Sequence, residues 1–376
     1  MMELNCLCDI YSGYAFKSFN DTSDGIPVIK IGNISSDGTI ELTDCVYTEE
    51  VPKEKYYSKK DDIYIALSGA TTGKIGVMQT DGLYVINQRV GIIRNKGKIP
   101  NDYLKYFLVS KSNQILKEAS GCAQPNISPK QISKYDISIQ TEEKMLLITQ
   151  QLKKIEVILQ NYRNQIDLLD ELVKARFVEL FGDIISNDKN WNSKPLKELC
   201  DISRGASPRP ISDYLGGTIP WIKIGDATIG DSIYINSTKE HIIKEGVRKS
   251  RFIKKGSLIF ANCGVSLGFC RIINFDGCIH DGWLAFQNID TSLNKIFLLT
   301  TINQMTGYFR KIAPGGTQPN LNTDIVGNYI QVVPPIELQN QFADFVKEVD
   351  KSRLEVQKSL KKTQELFDSL MQKYFG

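Results

Sequence analysis

A tandem repeat is the feature that most constrains the fold of this 376-residue chain. The motif Ile-Pro-Val-Ile-Lys-Ile-Gly at residues 26–32 recurs as Ile-Pro-Trp-Ile-Lys-Ile-Gly at residues 219–225, an offset of 193. Three further matches have offsets of 192 to 194: Leu-Cys-Asp-Ile from Leu7 and Leu199, Gln-Pro-Asn from Gln124 and Gln318, and Phe-Gly from Phe181 and Phe375. Short matches in one order at a nearly constant offset indicate that a whole structural unit is duplicated.

Composition excludes several classes of protein. Apolar residues make up 41% of the chain and charged residues 24%, as in a soluble globular protein, and no run of apolar residues is long enough to span a membrane. The amino terminus lacks the basic and apolar regions of a signal peptide. With only two histidines and no Cys-x-x-Cys pair, a zinc site is not expected. We therefore expect a cytoplasmic protein with reduced thiols and no bound metal.

The two globular halves are predicted to be α+β domains whose sheets are mostly antiparallel. Short β-branched or aromatic runs alternate with Gly, Asn and Asp turns at a spacing typical of strands. Strands are expected at residues 28–31, 63–67, 83–86, 90–93, 219–224 and 258–261. One helix is expected in each half, near residues 102–119 and 293–312.

Each globular half is followed by a segment in which apolar residues alternate by four and three. This heptad period predicts a seam along one face of a long helix. The first seam is formed by Ile148, Leu152, Ile155, Leu159, Tyr162, Ile166, Leu169, Val173, Arg176 and Leu180. The second seam, shifted by 194 residues, is formed by Phe342, Val346, Val349, Arg353, Val356, Leu360, Thr363, Phe367, Leu370 and Tyr374.

Two arrangements of these helices are compatible with the seams. Each helix could pack only on its own domain, or the two helices could form an antiparallel coiled coil, because a duplication implies a pseudo-two-fold axis. The second arrangement, which the repeat favours, would make a spacer about 60 Å long, since roughly 40 residues rise ~1.5 Å each. We predict a first domain at 1–140, a first helix at 141–186, a second domain at 187–335 and a second helix at 336–376.

Further motifs occur in the same order in both halves. Residues 7–18 and 191–208 are alike at the start of each half, and glycine-rich strand ends follow at 67–74 and 262–268. The Ile-Pro-x-Ile-Lys-Ile-Gly motif, the Gln-Pro-Asn turn and residues 333–339 complete a pattern that covers the whole chain. This pattern resembles the specificity subunit of a type I restriction–modification system. The first half departs from the family at residues 139–142, where a Pro-Pro pair is usual.

The resemblance implies a non-catalytic subunit that recognises DNA. Two target-recognition domains would each read one half of a bipartite site in double-stranded DNA. The helices would set the spacer between the half-sites and dock two modification subunits, which would bind S-adenosylmethionine, so that this chain needs no cofactor. Two restriction or motor subunits would join in the full complex.

Other classes of function have less support from the residues. An adenine methyltransferase needs an Asn/Asp-Pro-Pro-Tyr/Phe motif and a glycine-rich cofactor loop, and neither is present. The nearest arrangement of nuclease acids, Asp136 with residues 142–144, loses its lysine in the second half. A coiled-coil scaffold that binds only proteins is the alternative, and a test of sequence-specific DNA binding would distinguish the two.

Candidate DNA contacts are expected at equivalent places in the two halves. Asn, Gln and Arg side chains can bond base edges, whereas Lys and Arg also contact phosphates. The candidates in the first half are Lys30, Ser68, Thr71, Thr72, Lys74, Asn87, Gln88, Arg89 and Gln124. The candidates in the second half are Arg204, Arg209, Lys223, Arg248, Arg251, Asn262, Ser266, His280, Trp283 and Gln318.

Each candidate also has a structural interpretation. The strand-end lysines could be solvated, the glycine-rich segments plain turns, and the polar residues at 87–89 and 280–283 satisfied within their loops. The Gln-Pro-Asn turns are expected to be structural, with only the glutamine reaching DNA. Residues 1–140 carry 16 basic and 16 acidic side chains, whereas residues 190–335 carry 16 and 11. The arginines of the second half are therefore expected to face phosphates.

Overall fold

The chain folds into two compact units. The computed structural model describes residues 1–20, 24–35, 37–119, 125–227, 233–264, 266–314 and 320–376. The first unit consists of Met1–Asn164 together with Gln357–Gly376, and the second of Gln165–Val356. Within the described ranges, no helix combines the length and the apolar character needed to cross a membrane.

The first unit contains an antiparallel four-stranded sheet and a mixed three-stranded sheet. Its elements in chain order are β1 (Met2–Glu3), β2 (Cys8–Ser12), β3 (Ile26–Ile29), β4 (Val46–Thr48), β5 (Ile63–Ala66), β6 (Ile75–Val77), β7 (Val85–Ile86), β8 (Val90–Asn95), α1 (Asn101–Ser110), α2 (Ser112–Ala119), α3 (Pro129–Ile132), β9 (Asp136–Ile137) and the start of α4 (Glu142–Phe181). The larger sheet has the order β2-β8-β5-β6 and the smaller β4-β3-β7, in which β3 and β7 are parallel. Strands β1 and β9 pair separately.

The second unit repeats this order with two additional strands. Its elements are β10 (Asn192–Pro195), α5 (Leu196–Leu199), β11 (Asp201–Arg204), β12 (Leu215–Ile222), β13 (Tyr234–Ile235), β14 (Glu240–Ile242), α6 (Lys244–Val247), β15 (Arg251–Ile253), β16 (Leu258–Ala261), β17 (Cys270–Ile273), β18 (Gly277–Ile279), β19 (Trp283–Gln287), α7 (Lys295–Gln304), α8 (Thr306–Ile312), α9 (Thr323–Gly327), β20 (Ile330–Val333) and the start of α10 (Ile336–Phe375). Its sheets have the orders β11-β19-β16-β17-β13 and β14-β12-β18-β15, and β10 pairs with β20. The predicted α+β class is confirmed, with mixed sheets in both units.

The central strands β5 and β16 are buried on both faces. In β5, Ile63 and Ile65 pack in the core beneath the helices, whereas Tyr64 and Ala66 pack in the core between the two sheets. The same alternation places Leu258 and Phe260 of β16 in one core, and Ile259 and Ala261 in the other. Successive side chains of a strand point to opposite faces, so a continuous apolar run contributes side chains to the core on each face of the sheet.

The predicted continuous helices at 102–119 and 293–312 are each broken into two. The break lies at Lys111 between α1 and α2, and at Met305 between α7 and α8. In both units a glycine lies against the second helix. A Cβ atom on Gly73 would lie 3.3 Å from Ile115, and one on Gly268 would lie 3.2 Å from the Cα of Thr306. The break thus lets the second helix lie against a glycine turn. The periodicity of the helical residues does not predict this contact.

In the first unit, the amino-terminal part of α4 packs antiparallel to the carboxy-terminal end of α10. The hydroxyl of Tyr374 donates to Gln151 Oε1 at 2.9 Å. Phe375 lies with its ring centroid 5.0 Å from that of Tyr103, and its carbonyl accepts a hydrogen bond from Lys111 Nζ. The helix that follows the second domain in the sequence therefore completes the core of the first domain.

In the second unit, the carboxy-terminal part of α4 packs against the beginning of α10. Phe177 and Phe181 are fully buried against Phe297 and Phe342, with ring centroids 4.7 to 5.7 Å apart. These two phenylalanines follow seam positions and were not in the predicted seam. Every seam residue from Ile148 to Leu180 and from Phe342 to Tyr374 is buried or half-buried. The two long helices thus pack on the domains and on each other, which combines the two predicted arrangements.

An arginine occupies an otherwise apolar seam position in the second unit. The side chain of Arg353 is 9% exposed, whereas the equivalent seam position of α4 is Leu159. Arg353 donates to Asp350 on its own helix at 3.1 Å and to Asp170 on α4. A buried charge is costly unless it is paired. Arg353 is paired with both acids only in the observed register of α4 and α10, so the triad favours that register.

Replacing Arg353 by leucine should lower the free energy of unfolding by about 2 kcal/mol, because Asp350, 12% exposed, loses its arginine partner. The matched control is Lys351→Ala, which removes the surface ion pair to Glu348 and should cost less than ~0.5 kcal/mol. Urea unfolding measures both variants. Equal stability of Arg353→Leu and the wild type would contradict the role assigned to the triad.

Candidate nucleic-acid interface

Two equivalent tight turns lie where the two sheets of each unit meet. The first turn (residues 87–90) connects β7 to β8, and the second turn (residues 280–283) connects β18 to β19. In the first turn, Asn87 N donates to Ile29 O at 3.0 Å, and in the second His280 N donates to Ile222 O at 3.1 Å. Each turn is closed by a bond from its fourth N–H to its first carbonyl, at 2.9 and 3.0 Å.

The leading side chain of each turn accepts a bond from the backbone. Asn87 Oδ1 accepts from Arg89 N at 3.2 Å, and His280 Nδ1 accepts from Gly282 N at 2.9 Å. Asparagine stabilises turns in this way, and histidine here plays the same part. These bonds give Asn87 and His280, both candidate DNA contacts, a structural role in holding their turns.

A glycine permits another strand to cross each turn. Gly13 N donates to Val90 O at 2.9 Å, and Gly205 N donates to Trp283 O at 2.8 Å. A Cβ atom on Gly13 would lie 2.3 Å from the carbonyl oxygen of Ile86, and one on Gly205 would lie 2.1 Å from that of His280. The shared motif at the start of each half therefore positions the turns.

Burial argues against direct DNA contact by three predicted residues. Asn262 and Trp283 are fully buried, and Thr72 is 4% exposed. Asn262 Nδ2 donates to the carbonyl of Leu321, and the Trp283 ring packs edge-on against Phe269. Trp283 belongs to a hydrophobic core, and Asn262 and Thr72 are bonded within the fold, so the structure favours a structural role for these three candidates.

The glycine-rich segments form ordinary turns. Gly73 N donates to Ala66 O, and Gly268 N donates to Ala261 O, each at 2.9 Å. Both glycines have positive φ values, and both lie against the helices described above. Their N–H groups are occupied, so the structure favours the plain-turn interpretation over a phosphate cradle.

The remaining residues of the first glycine-rich segment divide between two places. Thr71 and Lys74 line a pocket of about 420 Å³ that also contains Lys105 and Glu156. Ser68 lies elsewhere, in a separate cleft. Ser266 in the second unit is half-buried.

The strand-end lysines have different surroundings. Lys30 Nζ lies 3.9 Å from the ring centroid of the exposed Phe19. Lys223 Nζ forms an ion pair with Glu240 and lies 5.6 Å from the ring centroid of Trp221. The positive charge of Lys223 is therefore compensated, whereas that of Lys30 faces an aromatic ring and makes no ion pair with the described residues.

A polar cleft of about 470 Å³ brings together several candidates of the first unit. Ser68, Gln88 and Arg89 line it, together with residues 125–129. Gln88 and Arg89 are exposed, and neither side chain bonds to another part of the described chain. Gln124 and Gln318 lie outside the described residues.

In the second unit, arginines surround the second turn. Arg204 Nε donates to the carbonyl of Asp281 at 3.0 Å, and Arg251 Nε donates to the carbonyl of Arg204 at 3.2 Å. Arg209 lies 3.5 Å from the Asp281 carboxylate with 81% of its side chain exposed, and Arg248 is also exposed. Asp281 was not among the candidates predicted from the sequence. It could have been found because it follows His280 as the candidate Gln88 follows Asn87.

Burial lowers the pKa of His280 below its ordinary value of 6.5 despite the neighbouring Asp281. The folded protein therefore favours neutral histidine, and the second unit should lose stability as pH falls through 6.5 towards the lower folded-state pKa. His280→Asn installs the acceptor used by the first turn and should remove this part of the pH dependence. His280→Leu leaves the Gly282 N–H without its acceptor and should cost about 1–2 kcal/mol at pH 7.5.

Thermal unfolding between pH 5 and 8 measures these effects. Asn87→Leu is the control, because it removes the equivalent acceptor from the first turn without removing a group that titrates in this range. A His280→Asn profile parallel to that of the wild type would contradict the role assigned to histidine.

The chain matches a family model described as the type I restriction modification DNA specificity domain, over residues 1–174 and again over 188–366. It is 22% identical over 397 aligned positions to the putative type I restriction enzyme MjaX specificity subunit of Methanocaldococcus jannaschii, covering 97% of this chain and 91% of the relative. The MjaVIII specificity subunit of that organism is 20% identical over 349 positions, covering 84% and 80%. The MjaIX specificity subunit is 25% identical over 178 positions, and the chain spans only 41% of its length.

Two solved structures share the fold over the whole of this chain. The type I restriction-modification S subunit from M. genitalium is 16% identical, with a TM-score of 0.59 and 95% of its chain covered. A chain solved in work on complex assembly and conformational transition of the type I R-M system is 17% identical, with a TM-score of 0.56 and 96% covered. Because the two family matches span nearly the whole chain and each contains one of the equivalent turns, the chain belongs to the type I restriction–modification DNA specificity subunits, which recognise DNA without catalysing a reaction.

Proposed function

We propose that the two units read the two halves of a bipartite DNA site. The observation that carries this proposal is the pair of equivalent turns: their backbone bonds and leading acceptors are the same, but their outward residues differ. The first turn presents the exposed Gln88 and Arg89, whereas the second presents the half-buried Asp281 and has a buried glycine, Gly282, at the position of Arg89. A scaffold that the two units share, with different side chains on its surface, can bind the same kind of DNA groove and select different bases.

The cations near the turns would hold the DNA backbone. Arg89 and Lys30 serve this purpose in the first unit, and Arg204, Arg209 and Arg251 in the second. Phosphate contacts position a protein on the duplex and supply most of the salt-dependent affinity. Residues 190–335 carry the larger excess of basic side chains, but Lys223 and Arg209 among them lie beside acids that partly compensate their charge.

The exposed face of α4 would bind the modification subunits. In the first unit Leu146, Leu147, Val157 and Ile158 are 42 to 55% exposed, and in the second Leu168, Leu172 and Val178 are 47 to 61% exposed. Apolar residues on the outer side of a helix that already has a buried seam are suited to partner helices. These partners would supply S-adenosylmethionine, and restriction or motor subunits would complete the assembly in the cytoplasm.

The proposal is tested by co-expressing the chain with a modification subunit in a host that lacks adenine methylation. Single-molecule sequencing of the host DNA should reveal one bipartite methylated site. Exchanging residues 1–140 for those of another specificity subunit should change one half-site and leave the other intact. Absence of both methylation and a sequence-specific shift on DNA would overturn the proposal and favour a scaffold that binds only proteins.

We predict that the long helices set the number of unspecified base pairs. One heptad inserted after Asn164 and one after Val356, where the chain passes between the compact units, would preserve both seams. Seven residues add about 10.5 Å of helix, which corresponds to roughly three base pairs. Methylome mapping should show a longer spacer between unchanged half-sites. Inserts of four residues, which break the heptad register, are the control and should abolish methylation.

Charges on the exposed face of α4 should weaken assembly. The double variant Val157→Glu, Ile158→Glu should reduce binding of the modification subunit at least tenfold in size-exclusion and titration experiments, because a charge would be buried at the interface. Leu83→Glu is the control: it changes a still more exposed apolar residue of the first domain, away from the helix. Full binding by the double variant would show that the modification subunit docks elsewhere.

A further inference from the structure

The second turn directs a carboxylate outward where the first turn directs an amide. Asp281 follows His280 as Gln88 follows Asn87. The leading side chains are occupied by equivalent bonds to the backbone, so the next residue can differ between the units without disturbing the turn. The side chain of Asp281 is 33% exposed, so Asp281 is half-buried and not shielded from solvent.

One oxygen of this carboxylate is held and the other is available. Oδ1 accepts from Ser207 Oγ and from His280 Nε2, each at 2.9 Å. Oδ2 lies 3.5 Å from Nη2 of Arg209, a long contact to a side chain that is mostly in solvent. The two short bonds orient the carboxylate, and the long contact can be exchanged for another donor.

Asp281 is ionised under ordinary conditions. Burial acts to raise its pKa, but the Ser207 hydroxyl and the nearby His280 and Arg209 outweigh burial and lower the pKa below its usual value. An ionised carboxylate only accepts hydrogen bonds. Among the base edges of the major groove, cytosine presents its N4 donor without an N7 or O4 acceptor that would face the carboxylate.

We propose that Asp281 is a specificity-determining residue whose Oδ2 accepts a hydrogen bond from the N4 amino group of a cytosine. This inference rests on the proposed function, in which the second unit reads one half-site. A carboxylate next to DNA is repelled by phosphates, and the arginines around the second turn compensate for that repulsion. The contact with cytosine would then discriminate between bases, whereas the arginines would bind any sequence.

The test compares methylomes of hosts that express the chain and a modification subunit. The wild type should require cytosine at one position of one half-site. Asp281→Asn keeps the shape but adds a donor, so it should admit adenine there and reduce the preference for cytosine roughly tenfold. Asp281→Glu retains the charge and should retain the requirement for cytosine. It keeps the inference testable if Asp281→Asn proves poorly folded.

Two variants separate base reading from other roles. Gln88→Ala should alter only the opposite half-site, and Arg209→Gln should weaken binding to all sequences and reduce the salt dependence by about one phosphate contact. The inference on Asp281 is overturned if neither half-site requires cytosine, or if Asp281→Asn lowers methylation evenly without changing base preference. Failure of the wild type to methylate or shift any site would instead overturn the proposed function.

Discussion

The packing of each long helix into both compact units is the constraint on which the rest of the structure depends. Phe375, the last helical residue of the chain, packs against Tyr103 and Phe107 of the first unit. Phe177 and Phe181 of α4 pack against Phe297 of the second. Burying aromatic side chains contributes a large part of a core's stability, so the first domain depends on residues at the far end of the sequence, and the second on the helices directly before and after it. The helices are therefore core elements as well as connectors.

These cores support the turns through the central strands. One face of β5 packs beneath the helices and the other faces the smaller sheet, and β16 does the same. The first and second turns extend from the neighbouring sheets and are held by bonds to Ile29 and Ile222. A rigid scaffold that presents a few exposed side chains is a common way to place binding residues. The duplication retained this scaffold while the exposed residues diverged.

The two units also differ in how their charges are compensated. In the first unit the side chain of Arg89 makes no bond within the described chain, and Lys30 faces an aromatic ring. In the second, Lys223 pairs with Glu240, and Asp281 lies among arginines. A compensated cation must give up a partner to bind a phosphate, so a count of basic residues overstates what the second unit offers to DNA. Affinity and base selection are thus distributed differently in the two units.

The sequence by itself determined the duplication, the α+β class, the long helices and most of the buried residues along them, because these depend on local periodicity that occurs twice. It also located the equivalent turns. Only the tertiary structure decided what each turn residue contacts: Asn87 and His280 have the chemistry to bond bases but accept bonds from their own backbone, whereas Gln88 and Arg89 are exposed and Asp281 lies half-buried beside arginines. The structure likewise showed why Gly73 and Gly268 are glycines, since a helix lies close to each. It also showed how the buried charge of Arg353 is paired, by acids on two helices. Such contacts join residues distant in the chain, and no local pattern encodes them.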